Sequence, residues 1–334
     1  MQTTRNNNFD FIRFLAAVMV WYGHCYALLK LPEPLVVDFY SFGSFGVAVF
    51  FIISGYFITA SYDQRKKFLP FVKSRILRVF PGLGVLILLS VFVVGGLLST
   101  LGFQDYFSNP KTWTYLKSML ALPMHYELPG VFSQNPVHAV NGSLWSLKRE
   151  VKLYIIIALL GVLGILRPRL MIAIFIATYV MRFSTIDMFA KYFVGVPGKL
   201  KDLQLESLFA GGSVIYLARD KLTLNFKFFV LAIFLMIASI YMPGLYNKML
   251  FDLALTYIVI YIGFAKLPIL PMAGKYGDFS YGFYLYAFPV QQICIHFMGK
   301  NLNFTAFLFA SFVATFICAV LSWCFVEKPA LSLK

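Results

Sequence analysis

An all-α integral membrane fold, a bundle of about ten transmembrane helices with both termini in the cytoplasm, is predicted for this chain by three observations. Apolar side chains make up 60% of the 334 residues and charged ones only 13%, too little polar surface to coat a soluble globule. Apolar runs of about 20 residues, the length that crosses a hydrocarbon core, recur along the whole sequence. Lys and Arg gather on alternate connections, as the positive-inside rule requires.

Hydropathy places the spans near 9–29, 42–62, 80–101, 144–166, 170–186, 203–218, 228–243, 249–266, 278–298 and 304–326. An even number puts both termini on one side. Arg65, Lys66, Lys67, Lys73, Arg75 and Arg78, then Arg167 with Arg169, then Arg219 with Lys221, mark that side as cytoplasmic. Lys191, Lys199 and Lys201 crowd one outer connection against the rule. The longest outer connection, 102–143, is rich in Pro, Asn and aromatic residues, and loops of that length often carry function. The first span is too long for a secretory h-region and runs into KLPEP rather than a small-residue cleavage site, so it is expected to remain as a helix. A single transmembrane domain over 1–334 is expected, with no repeat and no appended soluble domain. The net charge of +15 sits at span ends, which argues against nucleic-acid binding. Cys25, Cys294, Cys318 and Cys324 lie in apolar segments without metal-ligand spacing and are expected to be free thiols; no metal is expected.

Four polar constellations interrupt the apolar background. Arg13 and His24 share the first span, and eleven residues bring them to nearly the same helix face about 16 Å apart. Ionisable groups at membrane depth mark functional sites, although Arg13 alone also fits a snorkelling role and His24 a helix–helix hydrogen bond. Asp10, three residues before Arg13, can pair with it. In KSRILRVFP, Arg75 and Arg78 share a face before Pro81; they serve either as a topology signal or as a fork of donors for phosphate. In NGSLWSLKREVKLY, Asn141 or Ser143 caps a helix whose first turns hold Lys148, Arg149, Glu150 and Lys152, with Tyr154 one turn beyond Glu150. That charge cluster is either interfacial or part of a site. In YGDFSYGFYLYAFP, Asp278 or Ser280 caps a helix that Pro289 kinks.

In this order the four constellations resemble the membrane-bound acyltransferase family 3, whose members acylate sugars and other molecules at the cell envelope. Arg13 and His24 match the family's Arg, ten residues, His; GVAVFFIISG (46–55) matches GVxxFFxxSG; Arg75, Arg78 and Pro81 match RxxR ending in Pro. LWSLKREVKLY (144–154) matches LWSLxxExxxY with Glu150 at the acidic position, SYGFYL (280–285) matches SYGxYL with Ser280 and Tyr281, and VEKP stands at 326–329. Size and the lack of a hydrolase-like appendage look most like the bacterial O-antigen O-acetyltransferases. The chain departs from the pattern where many members have a His before the span-nine Pro: here Tyr286, Ala287 and Phe288 precede Pro289, which leaves His24 as the intramembrane base candidate. His125, His138 and His296 are read as solvated or structural.

The resemblance implies a cytoplasmic acetyl-CoA donor, a lipid-linked or polymeric glycan acceptor of lipopolysaccharide type on the outer side, and a multi-pass protein of the bacterial inner membrane in contact with its lipids. On that reading Arg75, Arg78 and Lys73 hold the nucleotide phosphates, Arg13 marks the inner mouth, and His24 is the general base. Glu150 orients the imidazole or holds the acceptor, and Ser143, Trp145 or a backbone N–H supplies an oxyanion donor. An acetyl-enzyme shuttle through a His or Cys25 is the rival mechanism. A glycan or glycolipid transporter or flippase is the rival function, and it predicts repeat symmetry that the sequence lacks.

Overall fold

A computed structural model of the protein describes residues 7–183, 203–266, 277–299 and 302–334. Lys191, Lys199 and Lys201, and the connection that carries them, lie outside the described residues. Among the described residues the regular structure is helical apart from an antiparallel pair of short strands, β1 (Leu35–Val37) and β2 (Tyr40–Ser41), and an isolated bridge between Ser99 and Val131. The long helices are α1 (Phe9–Ala27), α2 (Phe42–Arg65), α3 (Phe68–Leu88), α6 (Leu144–Val162), α7 (Pro168–Phe183), α8 (Gln204–Leu217), α9 (Phe226–Ile240), α10 (Leu245–Phe264), α11 (Ser280–Met298) and α12 (Phe304–Ser322). Two short ones, α4 (Phe103–Ser108) and α5 (Pro110–Tyr115), lie in the long connection. Each hydropathy span thus meets a helix.

Four stretches among the described residues are long and apolar enough to cross a membrane: Phe42–Arg65, Phe68–Leu98, Tyr246–Phe264 and Phe304–Leu331. Their outward faces are apolar, with Phe92, Phe309 and Phe325 exposed, as lipid contact demands. By contrast α1, α6 and α11 carry the charged and amide side chains of the motifs. Most of α11 is buried, from Gly282 through Gln292, so its polar groups face protein.

The chain divides into two compact units. The first comprises Met1–Arg13, Val47–Phe71 and Leu153–Lys275. In it, small residues let helices approach closely: a Cβ on Gly55 would strike the Phe209 backbone, and Ser213 Oγ donates to Gly55 O at 3.0 Å while accepting from Thr59 Oγ1 at 2.8 Å. Asn8 satisfies orphaned carbonyls at the α10 C-terminus, its Nδ2 donating to Ile262 O and Ala265 O at 2.7 Å each. Phe9 packs edge-on to Phe57 and Phe264. Ala232, Ala254 and Ile258 form an apolar seam between α9 and α10.

The second unit comprises Phe14–Gly46, Val72–Lys152 and Tyr276–Lys334. It is organised around α11. Phe14 packs on Phe283, and Gln291 bonds to Trp21 and Cys25, so α1 runs alongside α11 in the same direction. Tyr281 bonds to Val79, and Gly82 faces Tyr281 and Leu285, which aligns α3 the same way. α12 runs opposite, with Phe312 against Phe283 and Trp323 against Phe279.

Both α3 and α12 continue as π-helical turns, Leu89–Gly95 and Trp323–Glu327. The wider turn leaves carbonyls for other donors. Tyr106 of α4 uses one, its hydroxyl donating to Val91 O at 3.0 Å over side-chain-free Gly95, and burial pushes that phenol up to about 12.

Candidate active site

The motifs converge on α11 in the second unit. His24, near the end of α1, packs its ring edge-on to Phe288 with centroids 5.3 Å apart. Its Nδ1 is buried and has no hydrogen-bond partner among the described residues. Neighbouring Cys25 is wholly buried, with Gln291 Nε2 donating to its Sγ at 2.9 Å. That thiol is packed and engaged, unlike the imidazole beside it.

Phe288 also faces the start of α6. A Cβ on Gly142 would lie 2.7 Å from Phe288 Cζ, so only glycine leaves room for the ring. Around it, Asn141 Nδ2 donates to Leu285 O at 3.1 Å and Ser143 Oγ donates to Asn141 Oδ1 at 2.6 Å. The Tyr284 hydroxyl donates to Ser143 O and shares a bond with Ser146 Oγ, each at 2.5 Å. One aromatic ring therefore bridges His24 to the NGS turn, and one phenol bolts that turn to α11. Further along, Asn135 Nδ2 donates to Gln292 Oε1 at 2.8 Å, and Gln292 Nε2 donates to Ala139 O at 2.6 Å.

Tyr281, Tyr284 and Phe288 occupy one face of α11 at helical spacing. They lead over about 10 Å to a second polar centre. There Arg78 is ion-paired with Asp278 and lies 5.6 Å from the Tyr281 ring centroid, and the Tyr281 hydroxyl donates to Val79 O at 2.6 Å. Asp278 Oδ1 accepts from Ser280 N at 3.2 Å and from Ser280 Oγ at 2.5 Å, just before α11, whose N-cap is Phe279. Glu327 is buried nearby and within electrostatic reach of Arg78. The π turn of α12 sets Ser322 five residues before Glu327, and its hydroxyl donates to Glu327 Oε1 at 2.8 Å. Gly282 makes space for that carboxylate: its Cβ would stand 3.0 Å from Oε1.

The other expected site residues are more dispersed. Glu150 is half-buried, and its charge acts on Tyr281 and Tyr284. Trp145 is exposed, with the Arg149 guanidinium 5.3 Å from its ring centroid, so it points away from the buried serines on either side of it. Arg75 donates from Nε to Ser74 Oγ at 3.2 Å, and Lys73 is exposed. Asp10, Arg13 and Tyr154 belong to the first unit, where Arg13 pairs with Asp10 at 3.5 Å and covers the Phe57 ring at 5.1 Å. In the long connection the His125 backbone N–H donates to Ser118 Oγ at 2.8 Å while its buried Nε2 has no partner among the described residues, and the His296 ring lies 6.1 Å from that of Phe132. Among the described residues no group of three or more His, Cys, Asp or Glu could hold a metal ion.

Sequence reasoning gave no role to Glu327, Gln291 or Glu33. Glu327 had a signal, a carboxylate inside an apolar terminal span. Gln291 and Gln292, an amide pair within a span, had the same one. Glu33 accepts from Gly43 N at 2.7 Å against side-chain-free Gly23, a contact that nothing in KLPEP announces.

Known proteins resemble this chain over nearly its whole length. The acyltransferase domain of family 3 matches residues 6–324. An O-acetyl transferase of Shigella phage Sf6 is 29% identical over 98% of this chain and 97% of its own length. Nodulation protein 10 of Rhizobium leguminosarum bv. viciae is 28% identical over 98% of this chain and 94% of its own. No solved structure matches. Both the Arg–His helix and the motifs gathered on α11 therefore sit inside the matched domain, and the chain belongs to the acyltransferase family 3 of membrane enzymes.

Proposed function

We propose that the protein is an O-acetyltransferase that moves an acetyl group from cytoplasmic acetyl-CoA to a sugar hydroxyl of O-antigen or a related lipopolysaccharide glycan, lipid-linked or polymeric. It does so from the inner membrane of a bacterium as a single domain of about ten spans with cytoplasmic termini. The observation that carries this reading is His24: an imidazole whose Nδ1 is buried without a partner, beside the NGS turn of the matched domain. A buried polar atom left unsatisfied by the protein is costly unless a substrate meets it.

In the proposed reaction the sugar oxygen attacks the thioester carbonyl while its proton passes to the neutral His24 imidazole. The tetrahedral intermediate collapses, the carbon–sulfur bond breaks, and the leaving thiolate takes the proton back from the imidazolium. A backbone N–H beside Ser143, or the Ser143 hydroxyl once it turns away from Asn141 Oδ1, supports the oxyanion. Exposed Trp145 is a poorer candidate for that task. Arg75 and Lys73 receive the nucleotide phosphates, with Arg13 at the mouth, and Arg78 braces that end through Asp278. Glu150, whose charge reaches Tyr281 and Tyr284, orients the imidazole or holds the acceptor. Asp10 holds Arg13, and Tyr154 and Ser280 are supporting groups.

The test is mass spectrometry of envelope polysaccharide from cells with and without the protein, supplied with isotopically labelled acetyl-CoA precursor. One labelled acetyl increment on one sugar is expected. Glycan movement across the membrane without acetylation would replace this reading by a carrier.

A further inference from the structure

Three buried polar atoms on adjoining turns of α1 and α11 have no partner among the described residues: Trp21 Nε1, His24 Nδ1 and Gln291 Oε1. Trp21 is 7% exposed and Gln291 0%, so bulk water does not serve them. The orientation of Gln291 is fixed by chemistry. Its Nε2 donates to Trp21 O at 2.8 Å and to Cys25 Sγ at 2.9 Å, and a flipped amide would set two carbonyl oxygens against each other. Its carbonyl therefore asks for a donor, while the Trp21 indole, a donor only, asks for an acceptor. The Trp21 ring is held edge-on by Phe312 with centroids 5.2 Å apart.

A group that offers one acceptor and one donor a short step apart is a secondary amide. Trp21 precedes His24 by three residues, about 4.5 Å along the helix axis. In an acetylated pantetheine arm the first amide is separated from the thioester carbonyl by a few single bonds, about 5 Å in extended form. The two spacings agree, and Trp21 lies on the Arg13 side of His24 along α1, the side from which the donor enters on the reading above.

We propose that Trp21 and Gln291 form a subsite for the amide nearest the donor's thioester. The indole N–H donates to the amide carbonyl, the amide N–H donates to Gln291 Oε1, and the acetyl carbonyl is thereby registered beside His24. This deepens the acetyl-CoA reading and rests on it. The pair selects for an amide-bearing thiol carrier over a plain alkyl thioester.

The experiment measures binding of radiolabelled acetyl-CoA to the full chain in lipid nanodiscs, and its displacement by two small thioesters. One is S-acetyl-N-acetylcysteamine, which keeps the first amide; the other is S-acetyl-pentanethiol, which lacks it. Wild type is expected to prefer the amide-bearing competitor about tenfold, the worth of lost hydrogen bonds in a dry site. Trp21→Phe and Gln291→Met are each expected to weaken acetyl-CoA binding about tenfold and to flatten that preference. A wild type that binds acetyl-CoA but does not distinguish the two competitors overturns the subsite alone, whatever the variants do. Variants that bind more weakly yet keep the preference also overturn it, since the pair then serves packing or holds water. A wild type that binds no acetyl-CoA overturns the donor reading and the subsite together.

Discussion

The two ends of the α11 face handle polarity differently. At the Arg78 end most polar groups are engaged, guanidinium with Asp278, Asp278 with Ser280, Glu327 Oε1 with Ser322, and Tyr281 with a backbone carbonyl, and the one buried atom there without a partner among the described residues, Glu327 Oε2, belongs to a carboxylate within electrostatic reach of Arg78. At the His24 end the scaffold is equally well bonded, through Asn141, Ser143, Tyr284 and Ser146, yet the groups facing inward are unsatisfied. A protein tolerates orphaned polar atoms where a substrate completes them, and it pairs charges where they must survive without one. On the proposed reading the chemistry belongs to the His24 end, and the paired charges of the other end serve mainly architecture.

The strongest way to break that contrast is to remove His24. Replacing it by Gln should lower acetyl transfer by about 10²- to 10⁴-fold, the usual worth of a general base. The protein should remain as abundant and as thermally stable in the membrane as wild type, because Nδ1 makes no bond that the fold would lose. Labelled acetyl transfer and a detergent melting curve measure the two effects. A His24→Gln protein that transfers at the wild-type rate would remove the base from the mechanism.

The opposite pattern is expected at the other end. Arg78→Gln leaves Asp278 and Glu327 in place without their cation. Removing one partner of a buried pair costs about 3–5 kcal/mol; because the Arg78 and Asp278 side chains keep 21% and 14% exposure, about 2–3 kcal/mol is expected, read as a lower melting temperature and lower abundance. Adding Asp278→Asn should recover part of that loss. If Arg78→Gln melts like wild type while its KM for acetyl-CoA rises sharply, Arg78 is a phosphate grip and the contrast fails.

The fold was legible where periodicity and length speak, and each hydropathy span meets a helix. Less legible was where the polar groups would point. Trp145 and Ser143 lie two residues apart in one motif, and the helical turn that buries the serine exposes the indole. Arg75 and Arg78 read as twins, yet Arg78 meets Asp278, two hundred residues away in sequence, a pairing that no local pattern encodes. The signature 46–55 stands in the sequence only as a family match, and its Gly46 and Gly55 each face the backbone of a neighbouring helix. They serve close packing. His24 stood out as a candidate because a titratable group in an apolar run is costly, and that cost is a property of sequence alone.

The gentlest test concerns how the scaffold reaches the histidine. Gly142 has an ordinary backbone conformation, so alanine is permitted there by φ and ψ, and only space opposes it. The methyl would lie 2.7 Å from Phe288 Cζ and 2.8 Å from Cε2, which are the far edge of a side chain that can turn rather than backbone that cannot. The expected stability loss of Gly142→Ala is therefore small, about 1 kcal/mol, the lower end of overpacking costs. The same ring buttresses His24 at 5.3 Å, so its displacement should loosen the imidazole and lower kcat by about tenfold, since small misplacements of reacting groups are expensive. Phe288→Leu in the alanine background frees the space again and should restore stability without restoring kcat, because the edge-on contact to His24 stays lost. Full recovery of kcat in the double variant would mean that Phe288 merely fills volume, and that His24 is positioned by α1 alone.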